Sequence, residues 1–291
     1  MREVSAELEA CFAKVFPEDW NMPLALLESM NYSLNAGGKR LRPLLVVAAG
    51  ESLGGSREAA IRVAAAVEMV HTYSLIHDDL PAMDDDDLRR GKPTNHKVYG
   101  EAMAILAGDG LLTHAFYVVA SLAKDGLLPA DAALAIVSDL SEYAGPRGMV
   151  GGQVADMEGE QGITDLERLE YIHLHKTSDL IMFSLMAGGR TAGASAEQLE
   201  ALRTFGRGVG LAFQIQDDIL DLVGDESKLG KKTQSDVKMQ KVTYPYFLGI
   251  EQSREEVRRL SAEAKAAVTG AGLLHTERLL AIADYLVDRD R

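Results

Sequence analysis

The sequence predicts an all-α, single-domain protein of roughly ten to thirteen helices. Apolar residues recur at three- and four-residue spacing over Ala59–Ile76 and Leu199–Leu222, which is the spacing of one helix face. No stretch combines sustained alternation of apolar and polar residues with the β-branched enrichment of strands. Breaks such as Gly54-Gly55 and Gly145-Pro146 are short, and no linker divides the 291 residues. We therefore expect one domain over residues 1–291.

Two apolar segments indicate where the middle of the bundle lies. The segment Leu41–Ala48 is rich in leucine and alanine and has no candidate strand partner, so we expect a helix there. The segment Ala201–Leu222 is apolar almost all round, as is typical of a central helix. Its glycines, Gly206, Gly208 and Gly210, are expected to permit close helix packing. They do not indicate a dinucleotide site, because the spacing is wrong and no strand precedes them.

Composition excludes several classes of function. The chain has 30 basic and 44 acidic residues and a net charge of -14, so neither a nucleic-acid footprint nor a polybasic membrane patch is expected. The single cysteine, Cys11, excludes an intrachain disulfide and favours the cytoplasm. The most apolar stretch, Ala102–Leu122, contains Asp109 and His114, so we expect no membrane-spanning segment or stable membrane anchor.

Two clusters of aspartates end stretches that are otherwise apolar. One cluster follows His71–His77 and the other follows Phe213–Gln216. An acidic run is usually a solvated helix face. These carboxylates instead end helices expected to be buried, where an unpaired charge is costly, so a neutralising partner is expected. The first cluster contains Asp78, Asp79, Asp84, Asp85, Asp86 and Asp87, and the second contains Asp217, Asp218, Asp221 and Asp225.

The spacing of these aspartates suits a divalent cation. Asp217 and Asp221 are four residues apart and share a helix face, about 6 Å from each other. Pro81 interrupts the first helix, so a local bulge would bring Asp84 back beside Asp78. Carboxylate oxygens suit Mg²⁺, which also binds phosphate and water. The sequence has no cysteine and histidine cluster of the kind that binds zinc, and His173 and His175 are interpreted as structural or network residues.

Basic residues occur near both clusters, where they favour a local diphosphate site in an acidic protein. They comprise Arg89 and Arg90, Lys231 and Lys232, Lys39 to Arg42, and Lys176.

The motifs as a group resemble those of the trans-isoprenyl diphosphate synthases. Asp78 to Asp84, followed by Arg89-Arg90, is similar to the first aspartate-rich motif of that family, and Phe213 to Asp221 is similar to the second. The resemblance covers nearly the whole chain. Its companion motifs are Gly37–Pro43, Gly152-Gln153-Val-Ala-Asp156, His175-Lys176-Thr177 and Lys241-Val-Thr-Tyr-Pro245.

The resemblance implies a helical fold around a deep central cavity, a homodimer, and two diphosphate substrates. Isopentenyl diphosphate would be joined to dimethylallyl or geranyl diphosphate with the help of about three Mg²⁺ ions. By the resemblance, Asp78, Asp84 and Asp217 hold the metal, and Asp79, Asp218 and Asp221 support them. Arg89, Lys176, Lys231 and Lys241 match positions that contact the allylic diphosphate. Thr177 and Gln214 match positions near the reacting carbon, and Lys39, Arg42, His71 and Arg90 match the isopentenyl diphosphate site.

The expected product is C15 farnesyl diphosphate. Tyr73, with Ser74 beside it, lies upstream of Asp78 and would block the prenyl tunnel, and Pro81-Ala82 are two extra residues typical of the C15 pattern. A C10 or C20 product is the main alternative. A terpene cyclase is not favoured because the second motif keeps its aspartates, and a non-catalytic subunit is not favoured because both motifs are intact. Gln234 departs from the family pattern in the loop that follows the second motif. The resemblance therefore does not fix how Lys231 closes over the site.

Overall fold

Helices form nearly all of the regular structure of this computed structural model, which describes residues 2–159, 162, 165–223 and 242–287. The all-α prediction is confirmed, and the stretch 41–48 is helical as expected. The helices are α1 (Arg2–Phe12), α2 (Leu24–Leu34), α3 (Leu41–Glu51), α4 (Arg57–Asp78), α5 (Asn95–Tyr99), α6 (Glu101–Lys124), α7 (Ala130–Ala144), α8 (Met149–Gly159), α9 (Leu166–Ile172), α10 (Asp179–Thr191), α11 (Ala196–Val223), α12 (Tyr244–Leu248), α13 (Ile250–Gly270) and α14 (Glu277–Val287).

One helix changes its winding in the middle. The π-helical turn His173–Ser178 joins α9 to α10 without a break. A π-helical turn contains an extra residue, and such turns inside α-helices are frequent at functional sites.

A small hairpin is the one β element of the described residues, and the sequence analysis missed it. The strands β1 (Leu88–Arg89) and β2 (Lys92–Pro93) pair in antiparallel register. Their loop is Arg90-Gly91, and both residues have positive φ, at 54° and 75°. Two central residues of positive φ are typical of the two-residue turns that connect hairpin strands.

The helices α4 and α11 lie at the centre of the packing. Helix α4 packs against α6, α3 and α10, whereas α11 packs against α10 and α13. Helix α4 begins at Ser56, whose hydroxyl accepts a hydrogen bond of 3.3 Å from the backbone N–H of Ala59. Nearly all of its apolar side chains belong to one large core, and the later half of α11 contributes to a second. The two aspartate clusters therefore lie at the ends of central helices.

The glycines of α11 allow that helix to approach its neighbours closely. A Cβ on Gly206 would lie 2.9 Å from Met182 Cα, and a Cβ on Gly208 would lie 3.0 Å from the carbonyl oxygen of Leu260. Gly210 lies equally close to the π-helical turn. The predicted packing role of these three glycines is confirmed.

Two described helices are long and apolar enough to cross a membrane on length and composition alone. They are α4 and α6, and 78% and 44% of their most apolar windows are buried inside the protein. Burial in the core accounts for the apolar character of α4. Helix α6 reaches this length and composition although Asp109 and His114 interrupt it, because the rest of the helix is apolar.

Candidate active site

The first aspartate cluster is shaped by a loop that folds back on the end of α4. The backbone N–H of Asp84 donates to the carbonyl oxygen of Asp78 over 2.9 Å, and that of Asp85 donates to Leu80 over 3.1 Å. Asp85 has a positive φ of 52°, which is uncommon for a residue other than glycine. The predicted bulge that returns Asp84 to Asp78 is confirmed.

The carboxylate of Asp78 lies among charged groups from three other segments. It accepts a hydrogen bond of 2.8 Å from Nε2 of Gln153. Burial raises the pKa of Asp78, the charge of Lys176 lowers it, and the charge of Asp84 raises it again. Lys176 donates to Asp156 over 2.6 Å. Burial alone would lower the pKa of Lys176, but Asp156 and Asp78 outweigh that effect and raise it, so this ammonium group stays charged.

The neighbouring carboxylate, Asp79, is buried and bound to a cation of the hairpin. Nε of Arg89 lies 2.5 Å from Asp79 Oδ1, and a terminal nitrogen of Arg89 lies 3.2 Å from the exposed Asp86. Burial raises the pKa of Asp79, although Arg89 acts in the opposite direction. The hairpin therefore places Arg89 beside the first cluster, where it binds the buried carboxylate of Asp79.

The π-helical turn contains Lys176, which lies beside Asp156, and Thr177, which lines a cavity described below. Helix α8 comes so close to this turn that a Cβ on Gly152 would overlap the backbone nitrogen of Lys176. Gly152 therefore brings the next residues of α8 to the site, where Gln153 binds Asp78 and Asp156 binds Lys176. Gln153 and Asp156 belong to a motif recognised in the sequence, but no roles were predicted for them. Their three-residue spacing on one helix face was a signal that both point the same way.

The second aspartate cluster occupies the last turns of α11. Asp218 is buried and accepts a hydrogen bond of 2.8 Å from the backbone N–H of Tyr244. Nε2 of His173 lies 3.2 Å from the same carboxylate oxygen. Asp221 is 1% exposed. Asp218 thus joins α11 to α12 and to the π-helical turn, and the interpretation of His173 as a network residue is confirmed.

A cavity of about 550 Å³ brings residues of the second cluster together with basic residues near the N-terminus. Among the described residues that line it are six of the predicted site residues. These are Lys39, Arg42, His71, Arg90, Thr177 and Asp217.

Arg40 lines the same cavity beside the basic wall that Arg42, His71 and Arg90 form. Its guanidinium donates to Glu68 and to the carbonyl oxygen of Leu34, each over 2.5 Å. Arg40 and Glu68 are both buried, and Arg40 has a positive φ of 49°. Arg40 therefore neutralises the buried charge of Glu68 on this side of the cavity.

The other cations of the cavity wall keep a neighbouring histidine neutral. A terminal nitrogen of Arg42 lies 3.4 Å from Nε2 of His71. Burial, followed by the charges of Arg42 and Arg90, lowers the pKa of His71 well below its ordinary value. Burial also lowers the pKa of Arg42 to about 10, and Nε of Arg42 is buried without a hydrogen-bond partner among the described residues. Such a concentration of positive charge is suited to an anion.

Among the described residues, backbone strain occurs beside the first aspartate cluster and beside the basic wall of the cavity. In the described part of the chain, positive φ outside glycine occurs at Arg40, Asp85 and Arg90 only. Arg90 also donates to the carbonyl oxygen of Gly37, which ties the hairpin to the segment before α3. Residues held in sparsely populated conformations cluster at binding and active sites.

The remaining predicted residues lie elsewhere or outside the described chain. Tyr73 is 6% exposed and packs in the core on α4, and the hydroxyl of Ser74 donates to the carbonyl oxygen of His71 over 2.9 Å. Neither is among the described residues that line the cavity. Gln214 lies on α11, three residues before Asp217. Lys231, Gln234 and Lys241 fall outside the described residues.

The described residues do not form a finished metal site. Within residues 2–159, 162, 165–223 and 242–287, no three aspartate, glutamate, histidine or cysteine side chains converge as metal ligands. The chemistry of the donors nevertheless fits Mg²⁺, which takes one or two carboxylates and completes its shell with phosphate oxygens and water. Burial raises the pKa of Asp78 in spite of the nearby charge of Lys176, so a bound cation would stabilise its ionised form.

Comparison with known proteins places the chain in a family. A sequence profile of the polyprenyl synthetase family matches residues 23–270. The farnesyl diphosphate synthase of Bacillus subtilis is 51% identical over 276 residues, which cover 95% of this chain and 93% of that protein. The chloroplastic geranylgeranyl pyrophosphate synthase of Catharanthus roseus is 48% identical over 270 residues, covering 92% of this chain and 75% of that protein.

A solved structure shares the fold. The apo crystal structure of a FPP/GFPP synthase from Zymomonas mobilis superposes with a TM-score of 0.86 at 36% identity, over 99% of this chain and 97% of that chain. The profile match covers more than half of the sequence, and the relatives exceed 45% identity over nine-tenths of it. Together with the two aspartate clusters and the cavity that joins Asp217 to the basic wall, these likenesses show that the chain belongs to the polyprenyl synthetase family.

Proposed function

We propose that this chain is a prenyltransferase that condenses isopentenyl diphosphate with dimethylallyl or geranyl diphosphate to form (2E,6E)-farnesyl diphosphate. The observation that carries the proposal is one cavity in which Asp217 and Thr177 face the basic wall of Arg42, His71 and Arg90. Isopentenyl diphosphate bound at that wall would direct its alkene to the site from which the diphosphate of the allylic substrate leaves. The names of the bacterial relatives support the C15 product.

The basic wall would bind isopentenyl diphosphate. Arg42 offers a buried Nε donor that no described residue accepts, and Lys39 and Arg90 line the same cavity. His71 is neutral there because burial and the surrounding cations lower its pKa, so it contributes a hydrogen bond rather than a charge. An anion with several oxygens would satisfy these donors together.

The aspartate clusters would bind the allylic diphosphate through metal. About three Mg²⁺ ions are proposed, held by Asp78, Asp84 and Asp217, and the bound metal would stabilise the negative charge of the departing diphosphate. Asp79 and Asp218 are engaged with Arg89 and with Tyr244 and His173, so they would support the ligands from behind. Asp221, Lys231 and Lys241 stay predictions.

The protein's own groups would stabilise both charges of the reaction. Lys176 and Arg89 carry positive charge beside Asp78 and Asp79, where the diphosphate gains negative charge as the allylic C–O bond breaks. The hydroxyl of Thr177, the carbonyl oxygen of Lys176 and the amide of Gln214 would stabilise the allylic cation. The alkene then attacks, and the departing diphosphate takes the proton that is lost.

Incubation with both substrates tests the function. We expect purified protein with isopentenyl and geranyl diphosphate to yield farnesol after dephosphorylation, and to yield it only when Mg²⁺ is present. Chromatography of the alcohols reports activity and chain length together. Absence of any elongated product with Mg²⁺ would refute the assignment, and a mainly C20 product would favour the activity named for the Catharanthus roseus relative.

Tyr73 tests the C15 assignment separately. It is buried on α4 one turn and more before Asp78, so a smaller side chain would open space along that helix. We expect Tyr73→Ala to make C20 product at the expense of C15. A variant that still stops at C15 would show that the limit lies elsewhere.

We also infer a homodimer, a single domain and a cytoplasmic location. The homodimer is supported by large apolar side chains on the outside of α5 and α6, where Val98, Ile105 and Leu106 are 46%, 44% and 53% exposed. Apolar side chains grouped in this way are typical of protein interfaces. Light scattering of the purified protein would report twice the chain mass if the inference is right, and Leu106→Glu should lower it.

A further inference from the structure

We propose that His77 and Gly108 limit the product length by holding the ring of Tyr73 in place, so that His77 is a positioning residue for chain-length specificity. This inference rests on the proposed function, because it concerns the depth of the same prenyl site. The position of Tyr73 then depends on a contact between α4 and α6.

Tyr73 and His77 are one helical turn apart, so their side chains lie on the same side of α4. Their ring centroids are 5.7 Å apart and the ring planes meet at 81°. This is the edge-to-face arrangement that aromatic pairs prefer. Tyr73 therefore has a second ring packed against it on the side nearer to Asp78.

Helix α6 fixes the ring of His77. Its Nε2 lies 3.0 Å from the carbonyl oxygen of Ile105, so the proton is on Nε2 and points at that carbonyl. A Cβ on Gly108 would overlap that same nitrogen. The ring therefore occupies the space that glycine leaves at residue 108.

The presence of glycine at residue 108 is explained by this contact. Gly108 is in the middle of α6 and outside the set of glycines with positive φ, so its backbone conformation does not require glycine. Glycine is also less favourable than alanine inside a helix. A methyl group there would force the His77 ring to move, and Tyr73 would lose its edge-to-face partner and gain freedom to turn away from a growing prenyl chain.

The experiment compares product ratios among single substitutions in the full chain. Protein is incubated with dimethylallyl diphosphate, isopentenyl diphosphate and Mg²⁺, and the ratio of C20 to C15 alcohols is measured. We expect Gly108→Ala and His77→Ala each to raise the ratio about three- to tenfold, the size of effect that one aromatic contact supports. The matched control is Gly110→Ala, because a Cβ there meets only the flexible side chain of Met30, at 2.9 Å from its Sδ, and the ratio should not change.

A double variant distinguishes positioning from general loosening of the helices. If Gly108 acts through His77, Gly108→Ala has no further effect on the ratio when His77 is already alanine. Both products come from one reaction, so a loss of overall rate from the proximity of His77 to Asp78 does not alter the comparison.

Two results would overturn the inference while leaving the proposed function intact. One is a wild-type product ratio in both Gly108→Ala and His77→Ala. The other is an effect of Gly108→Ala that is as large without the His77 ring as with it. Failure of the unsubstituted protein to elongate any substrate would refute the proposed function, and this inference with it.

Discussion

The two aspartate clusters have similar sequences but are built differently. The first leaves its helix at Asp78 and continues through a folded-back loop and a hairpin, with Asp84 to Asp87 exposed. The second stays helical through Asp221, and Asp218 and Asp221 are buried. One cluster therefore depends on an unusual backbone, including the positive φ of Asp85, and the other on helical spacing alone.

Each cluster nevertheless uses its second aspartate in the same way. Asp79 is bound by Arg89, and Asp218 is bound by the backbone of Tyr244 and approached by His173. In both clusters, a carboxylate that binds another protein group, Asp79 or Asp218, follows the carboxylate that faces the site. The difference is the partner: a cationic side chain in the first cluster, and a backbone N–H in the second.

The largest expected effect comes from the site-facing aspartates. We expect Asp78→Asn and Asp217→Asn each to lower the condensation rate by about 100-fold or more, because charge stabilisation of the leaving diphosphate is lost. The measurement is the steady-state rate at saturating Mg²⁺. Asp87→Asn is the control, since Asp87 belongs to the first cluster but is exposed and pairs with Lys97. Equal losses in all three variants would contradict a special role for Asp78 and Asp217.

Asp78→Asn should at the same time stabilise the protein when no divalent ion is present. Burial raises the folded-state pKa of Asp78, so its contribution to stability is present below the unfolded pKa and is lost as pH rises through the folded pKa. At neutral pH the ionised carboxylate therefore costs stability, which asparagine does not. We expect a higher Tm for Asp78→Asn in a chelator. A lower Tm would show that Gln153 and Lys176 already compensate for the charge.

A middle-sized effect is expected at Asp218. Removing its carboxylate in Asp218→Ala leaves the buried N–H of Tyr244 without its acceptor, at a cost of about 1–3 kcal/mol in the free energy of unfolding. Asp218→Asn keeps an oxygen that accepts this N–H, so it should cost less than half as much. Urea unfolding with a constant m-value would measure both. Equal losses would indicate that the charge, rather than the hydrogen bond to Tyr244, holds the two helices together.

The smallest expected effect is a change in acid stability at His71. The folded-state pKa of His71 is well below the ordinary 6.5, so its contribution is present above the unfolded pKa and is lost as pH falls through the folded pKa. We expect His71→Gln to lose less stability than the wild type between about pH 6.5 and about pH 5. His275→Gln is the control, because His275 is exposed. An unchanged acid slope in His71→Gln would mean that the pKa of His71 is the same in the folded and unfolded states.

The periodicity of apolar residues was sufficient to predict the helices. The four-residue spacing was sufficient to predict which aspartates of the second cluster share a helix face. Asp217 and Asp221 share a helix face whatever surrounds them, and α11 is a single helix over that stretch. The return of Asp84 to Asp78 was also predictable, because Pro81 breaks the helix at a known place. These features depend on local rules that act within a few residues.

Features that depend on tertiary contacts were not predictable. The side chains of Arg40 and Arg90 are bound by distant partners, Glu68 and Gly37, which no local pattern connects to them. The hairpin was missed because strands of two residues are too short to show alternation. The depressed pKa of His71 likewise arises from its burial in the folded protein and from arginines of two separate segments.

The π-helical turn also sets the rotational phase between the two halves of a long helix. Each residue advances an α-helix by about 100°, so the extra residue in the turn twists α10 relative to α9 by that amount. Deleting one residue there would let the helix wind evenly from Leu166 to Thr191, and Lys176 would swing about a quarter-turn away from Asp156. The length of this stretch is therefore as important to the position of Lys176 as the identity of its residues.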